Sequence, residues 1–104
     1  MRPLGVFGGT FDPVHNGHLR TAFELAECLD LERVLFVPAA DPPHRPPPRV
    51  PAARRVEFVR AAIEAEPRFA LDERELARGG RSYTVLTLEE LRAERGAQPL
   101  VLCL

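Results

Sequence analysis

Residues 8–19 read Gly-Gly-Thr-Phe-Asp-Pro-Val-His-Asn-Gly-His-Leu, between an apolar run at 4–7 and a stretch whose apolar residues recur at helical intervals. A short continuous apolar run fits a buried parallel strand, so the local order is strand, glycine loop, helix start. Gly8 and Gly9 carry no Cβ, which lets a bulky anion approach the main chain. Asp12 reads as a turn residue with Pro13, and Asn16 is the expected N-cap of a helix beginning near Gly17. His15 and His18 are three apart and share a helix face. A helix start presents unpaired N–H groups and partial positive charge. Backbone donors and two imidazoles at one point suit a phosphate chain. No Gly-Lys-Ser/Thr follows the loop, and it lacks a Gly-x-Gly-x-x-Gly spacing. Phosphate contacts must therefore come from backbone, imidazole and arginine. Two such histidines alone are ordinary surface residues; the Gly-Gly-Thr-Phe-Asp-Pro context turns the balance toward a ligand site. Zinc would need three or four ligands, and the only spares are His44, Cys28 and Cys103.

Outward from this stretch the pattern alternates. Residues 17–29 place Leu19, Ala22, Phe23, Ala26 and Leu29 at helical spacing. Residues 34–37 form a second buried strand. Residues 38–51 hold seven prolines and read as a semi-rigid loop carrying His44 and Arg45. Residues 51–66 resume a helix with Val56, Val59 and Ile63 inward and Arg54, Arg55 and Arg60 on its solvated face. Residues 69–76 give a short strand running into a loop, and Gly79-Gly80 a turn. Thr84 is the expected cap of a third helix over 85–95, with Leu88 and Leu91 inward and Gly96 as C-cap. Residues 100–104 make a fourth strand. The alternation predicts an α/β, Rossmann-like parallel sheet with flanking helices and right-handed crossovers. Ligands of such sheets bind at the carboxyl ends of the strands, near the switch in strand order. The first loop, the proline-rich loop and the loop before Thr84 all project from that edge.

The bulk numbers exclude several classes. A length of 104 residues allows one domain. A hydrophobic share of 45% and a charged share of 28% are those of a globular chain. The net charge of −1 gives no footprint for nonspecific nucleic-acid binding. Cys28 and Cys103 lie among apolar neighbours and are expected to be buried free thiols in a reducing cytoplasm. No apolar run reaches membrane-spanning length, and no signal-peptide pattern precedes the first strand.

Residues 8–19 closely resemble the signature of the nucleotidyltransferase superfamily with a His/Thr-x-Gly-His motif, here His15-Asn16-Gly17-His18. Pro42-Pro43-His44-Arg45 and Ser82-Tyr83-Thr84 narrow the resemblance to bacterial nicotinate-nucleotide adenylyltransferases. That family has Pro-Pro-His-Lys, so Arg45 departs from it by replacing a compact ammonium with a planar fork. The resemblance implies an enzyme of NAD biosynthesis that transfers adenylyl from ATP to nicotinate mononucleotide, giving deamido-NAD and pyrophosphate. It implies Mg²⁺ carried on the ATP phosphates, with no protein metal ligand. His18 would donate to the α-phosphate as charge builds, and His15 would bind the phosphate chain beside it. Gly8, Gly9, Thr10 and Phe11 would hold the nucleotide phosphates with them. His44, Arg45, Tyr83 and Thr84 would bind the mononucleotide. The plainer readings stand beside these: His44 and Arg45 as a solvated basic loop, Ser82 and Thr84 as helix caps. Pantetheine-phosphate adenylyltransferases share the first motif and are the enzymatic rival; a truncated, noncatalytic nucleotide-binding fragment is the other. Family members run well past the last strand, so residues 1–104 are expected to be a nucleotidyltransferase domain cut at its C-terminal side. Such a piece should expose apolar edges and self-associate, which is compatible with a homo-oligomer.

Overall fold

The computed structural model describes residues 1–40, 47–81 and 83–103. Within them, β1 (Leu4–Gly9), β2 (Arg33–Pro38), β3 (Phe69–Leu71) and β4 (Leu100–Cys103) run parallel in the order β3-β2-β1-β4. The helices are α1 (Asn16–Leu29), α2 (Ala52–Ile63), α3 (Arg74–Arg78) and α4 (Thr84–Arg95). Strand side chains alternate between two faces. Phe7, Val34 and Phe36 pack with Ala22 and Ala26 of α1 and Val59 and Ile63 of α2. Leu4, Val6, Leu35 and Val37 pack on the other face with Leu91 of α4. The sheet is thus covered on both sides, as the α/β expectation requires. Gly5 lets Leu31 lie on β1: a Cβ there would stand 2.8 Å from Leu31 Cδ1.

The direction of winding positions the site. The chain moves outward from β1 to β2 to β3, then returns to place β4 on the opposite side of β1. Connections after β1 and after β3 therefore leave in opposite directions. In sheets wound this way ligands bind at the carboxyl ends of the strands beside the switch, which here is where Gly8 and Gly9 close β1.

Several expectations change. His15, not Asn16, is the N-cap of α1, and Tyr83 rather than Thr84 is the N-cap of α4. Helix α2 ends at Ile63, short of the expected 66. In α1 the inward residues are Ala22 and Ala26; Phe23 and Leu29 are each 45% exposed. Cys28 is also exposed, while Cys103 is buried and its burial pushes the thiol pKa up. Apolar sequence neighbours do not bury a helical residue, because each step turns the side chain by about 100°. Helix α3 has no counterpart in the sequence pattern. Its five residues are too few to show a period, and charged groups hold it. Arg74 forks onto Glu94 with both contacts at 2.9 Å, Arg78 reaches Glu90 at 2.9 Å, and the Thr87 hydroxyl donates to buried Glu75. Among the described residues no helix is long and apolar enough to cross a membrane.

Candidate active site

The histidine pair forms the start of α1. His15 has extended backbone, φ −143° and ψ 174°. Its Nδ1 accepts the Gly17 N–H at 3.1 Å, and its own main-chain N–H donates to His18 Nδ1 at 3.1 Å. The two rings stack with centroids 3.8 Å apart. Each Nδ1 faces a backbone donor, so each neutral imidazole carries its proton on Nε2. The helix start is therefore capped by the two acceptor nitrogens, which leaves each Nε2–H outside the cap.

Gly17 makes this packing possible. A Cβ there would lie 2.9 Å from His15 Cε1 and 3.0 Å from His15 Nδ1. Alanine ordinarily stabilises a helix over glycine by about 1 kcal/mol. Here loss of the His15 cap, also worth about 1 kcal/mol, offsets that gain. Gly17→Ala is therefore expected to leave the unfolding midpoint nearly unchanged while releasing the His15 ring. Imidazole ¹⁵N spectra should show one His15 tautomer in the native chain and a mixture in the variant. A single unchanged tautomer in both would show that the close approach of Gly17 is immaterial.

The loop between β1 and α1 supports His18 from below. Phe11 adopts φ 50°, a left-handed conformation costing a bulky residue about 1–3 kcal/mol. Its buried ring offsets that cost by contacting Phe7, Phe36 and the edge of His18, the last at 5.1 Å between centroids. The ring also lies against Gly9, whose Cβ position is 3.5 Å from Phe11 Cζ. Burial holds the His18 pKa below the ordinary histidine value, and the neighbouring His15 charge lowers it further. Both effects favour the neutral Nε2–H donor.

Two residues read as unremarkable in sequence tie the loops together. Asp12 accepts the N–H groups of Arg49 at 2.8 Å and Val50 at 2.7 Å. Those two bonds, the Arg49 one first, pull its carboxyl below the usual range. Arg55, expected on the solvated face of α2, is instead 1% exposed. It donates from Nη1 to the carbonyls of Thr10 at 2.8 Å and Ala39 at 2.7 Å, and from Nε to Val50 at 3.0 Å. Helical periodicity could not expose this. Arg55 lies in the first turn of α2, where the neighbouring surface is loop main chain.

His15, His18, Gly9 and Phe11 are thus brought together, and Thr10 turns its carbonyl to Arg55. Gly8 lies on the same strand end. Tyr83 is exposed and Thr84 opens α4 at the carboxyl edge of the sheet; neither is hydrogen-bonded to the histidine pair among the described residues. His44 and Arg45 lie outside the described residues. Among the described residues, no group of three or more His, Cys, Asp or Glu side chains is placed to hold a metal ion. The donors at the α1 start are N–H groups, which match anions.

A doubly covered parallel sheet with N–H donors gathered beyond its first strand is a nucleotide-handling arrangement. The chain belongs to the cytidylyltransferase-like family, whose profile matches residues 6–103. It is 53% identical over 98 residues to a probable nicotinate-nucleotide adenylyltransferase of Marinobacter nauticus, covering 93% of this chain and 45% of that protein. It is 52% identical over 104 residues to the protein of the same description in Halorhodospira halophila, covering 100% of this chain and 48% of that one. The chain spans about half the length of the curated relatives it matches. The solved Plasmodium falciparum nicotinic acid mononucleotide adenylyltransferase, complexed with NaAD, matches with a TM-score of 0.84 at 13% identity, over 100% of this chain and 52% of that one. At that identity the likeness is one of fold.

Proposed function

We propose that this chain belongs to a nicotinate-nucleotide adenylyltransferase, which transfers adenylyl from ATP to nicotinate mononucleotide and releases pyrophosphate, in the cytoplasm. The carrying observation is the pair of Nε2–H donors at the α1 start, beside Gly8 and Gly9 at the switch in strand order. The descriptions of relatives at 50–54% identity support this substrate pair.

The chemistry asks for little beyond placement and charge control. A phosphate oxygen of the mononucleotide attacks the α-phosphorus of ATP. The bond from that phosphorus to the β-bridging oxygen breaks, and its electron pair leaves with pyrophosphate. The attacking group is already anionic, so no protein nucleophile or strong base is required. Mg²⁺ arrives with the ATP phosphates as part of the substrate. His18 donates from Nε2 to the α-phosphate as negative charge builds there, and His15 donates to the phosphate chain alongside. Main chain at Gly8, Gly9, Thr10 and Phe11 borders the nucleotides. His44, Arg45, Tyr83 and Thr84 are the proposed contacts to the mononucleotide.

The deciding measurement is pyrophosphate release by the full-length gene product with ATP and either nicotinate mononucleotide or pantetheine phosphate. Turnover of the nicotinate nucleotide is expected. Turnover of pantetheine phosphate alone would replace this reading with its rival.

A further inference from the structure

The buried cation of α2 has no role in the reaction as written above. A core position on α2 could be filled by an apolar residue, as Val56 and Val59 show. Instead Arg55 brings a charge out of water, and that burial lowers its pKa. Among the described residues it gains three main-chain carbonyls and no direct carboxylate bond. Those carbonyls come from three different segments. Thr10 follows β1, Ala39 follows β2, and Val50 leads into α2. Ala39 and Val50 bracket the proline-rich stretch, and Thr10 belongs to the glycine loop. Asp12, from the glycine loop, binds the N–H of Val50 while Arg55 binds its carbonyl, so that residue is held from both sides. The Ala39 N–H in turn donates to the Gly9 carbonyl at 2.8 Å. A planar guanidinium has donors in a fixed fork and can hold several carbonyls at set angles; an ammonium at the end of a flexible stem does not.

We propose that Arg55, assisted by Asp12, is a positioning residue that fixes the glycine loop relative to both ends of the proline-rich stretch, so that the ATP phosphates and the acceptor phosphate meet in one geometry. This rests on the adenylyl-transfer reading. Group transfer is sensitive to such placement, since a misplacement of about 1 Å costs on the order of a hundredfold in rate.

The test uses Arg55→Met, Arg55→Lys and Asp12→Asn in the full-length gene product, with the folded fraction measured by circular dichroism. Per folded molecule, Arg55→Met and Asp12→Asn are expected to lower kcat about ten- to a hundredfold. Arg55→Lys keeps the charge without the fork and is expected not to rescue. A purely structural role would reduce the active fraction and leave kcat per folded molecule native; that result overturns the proposal, as does full activity in Arg55→Lys. Where the Arg55 variants do not fold, Asp12→Asn decides, because it unties the same residue from the other side, and a native kcat per folded molecule there overturns the proposal. A native protein that turns over ATP and nicotinate mononucleotide while the folded variants keep its kcat refutes only the positioning role. A native protein inactive with that pair refutes the function and the positioning role together.

Discussion

His18→Ala in the full-length gene product is expected to lower kcat about a hundred- to a thousandfold while moving KM for ATP little. That is the range seen when one preorganised donor to a developing oxyanion is removed. His18 Nδ1 is occupied by the His15 N–H, so its Nε2–H is the donor that the proposed mechanism directs to the α-phosphate. A contact that strengthens as charge builds appears in kcat rather than in ground-state binding. Steady-state pyrophosphate release checks this, and an unchanged kcat would remove His18 from the chemistry. The same geometry sets an acid limit. The unfolded chain binds a proton on His18 more readily than the folded one, because burial and then His15 depress the folded pKa. This residue's contribution to stability is present above the ordinary value of 6.5 and is lost as pH falls from there through the lowered folded pKa. Protonation would also set an Nδ1–H against the His15 N–H, so activity should fall across the same window. Asp12 titrates lower still, its carboxyl depressed from 3.8 by the Arg49 and Val50 N–H groups, so its release belongs to stronger acid.

Phe36→Ala is expected to cost about 3–5 kcal/mol, the usual range for emptying a buried aromatic site. The ring is fully buried and lies 5.3 Å from Phe7, 5.7 Å from Phe11 and 5.1 Å from Phe69, centroid to centroid. Against a total stability of roughly 5–15 kcal/mol for a domain, that loss leaves little. Urea unfolding is the measurement, and a loss below about 1 kcal/mol would contradict the packing described. Phe36→Leu retains most of the volume and should fold, yet it loosens the Phe11 ring beneath His18. Its His18 pKa, followed by NMR, should move back toward the ordinary value.

The sheet was legible because residues 4–7 and 34–37 are unbroken apolar runs, and the glycine loop marks where the first of them gives way to a helix. The residue pair at the helix start was legible from its spacing together with the glycine loop before it. How the pair works was not, since two histidines three apart do not show that both Nδ1 atoms face main-chain donors. Asn16 has the better side chain for capping, but extended backbone at His15 let the imidazole take that place. Arg55 escaped for a different reason. Periodicity sorts helix faces by the apolar core, and its partners are loop carbonyls, two of them distant in sequence. Helix α3 depends on Arg74 and Arg78 meeting Glu94 and Glu90, pairings of tertiary origin that no window of five residues contains.

The central strand has one neighbour near in sequence and one far away. Leu4 is paired with Arg33 on one side and with Leu100 on the other. Closing a span of that length costs a flexible chain about 4 kcal/mol of entropy. On the ribosome, then, the first strand emerges early but keeps an open edge until the hundredth residue has left the exit tunnel. Nascent chains stalled before that point carry the full motif, yet β1 still lacks its β4 neighbour.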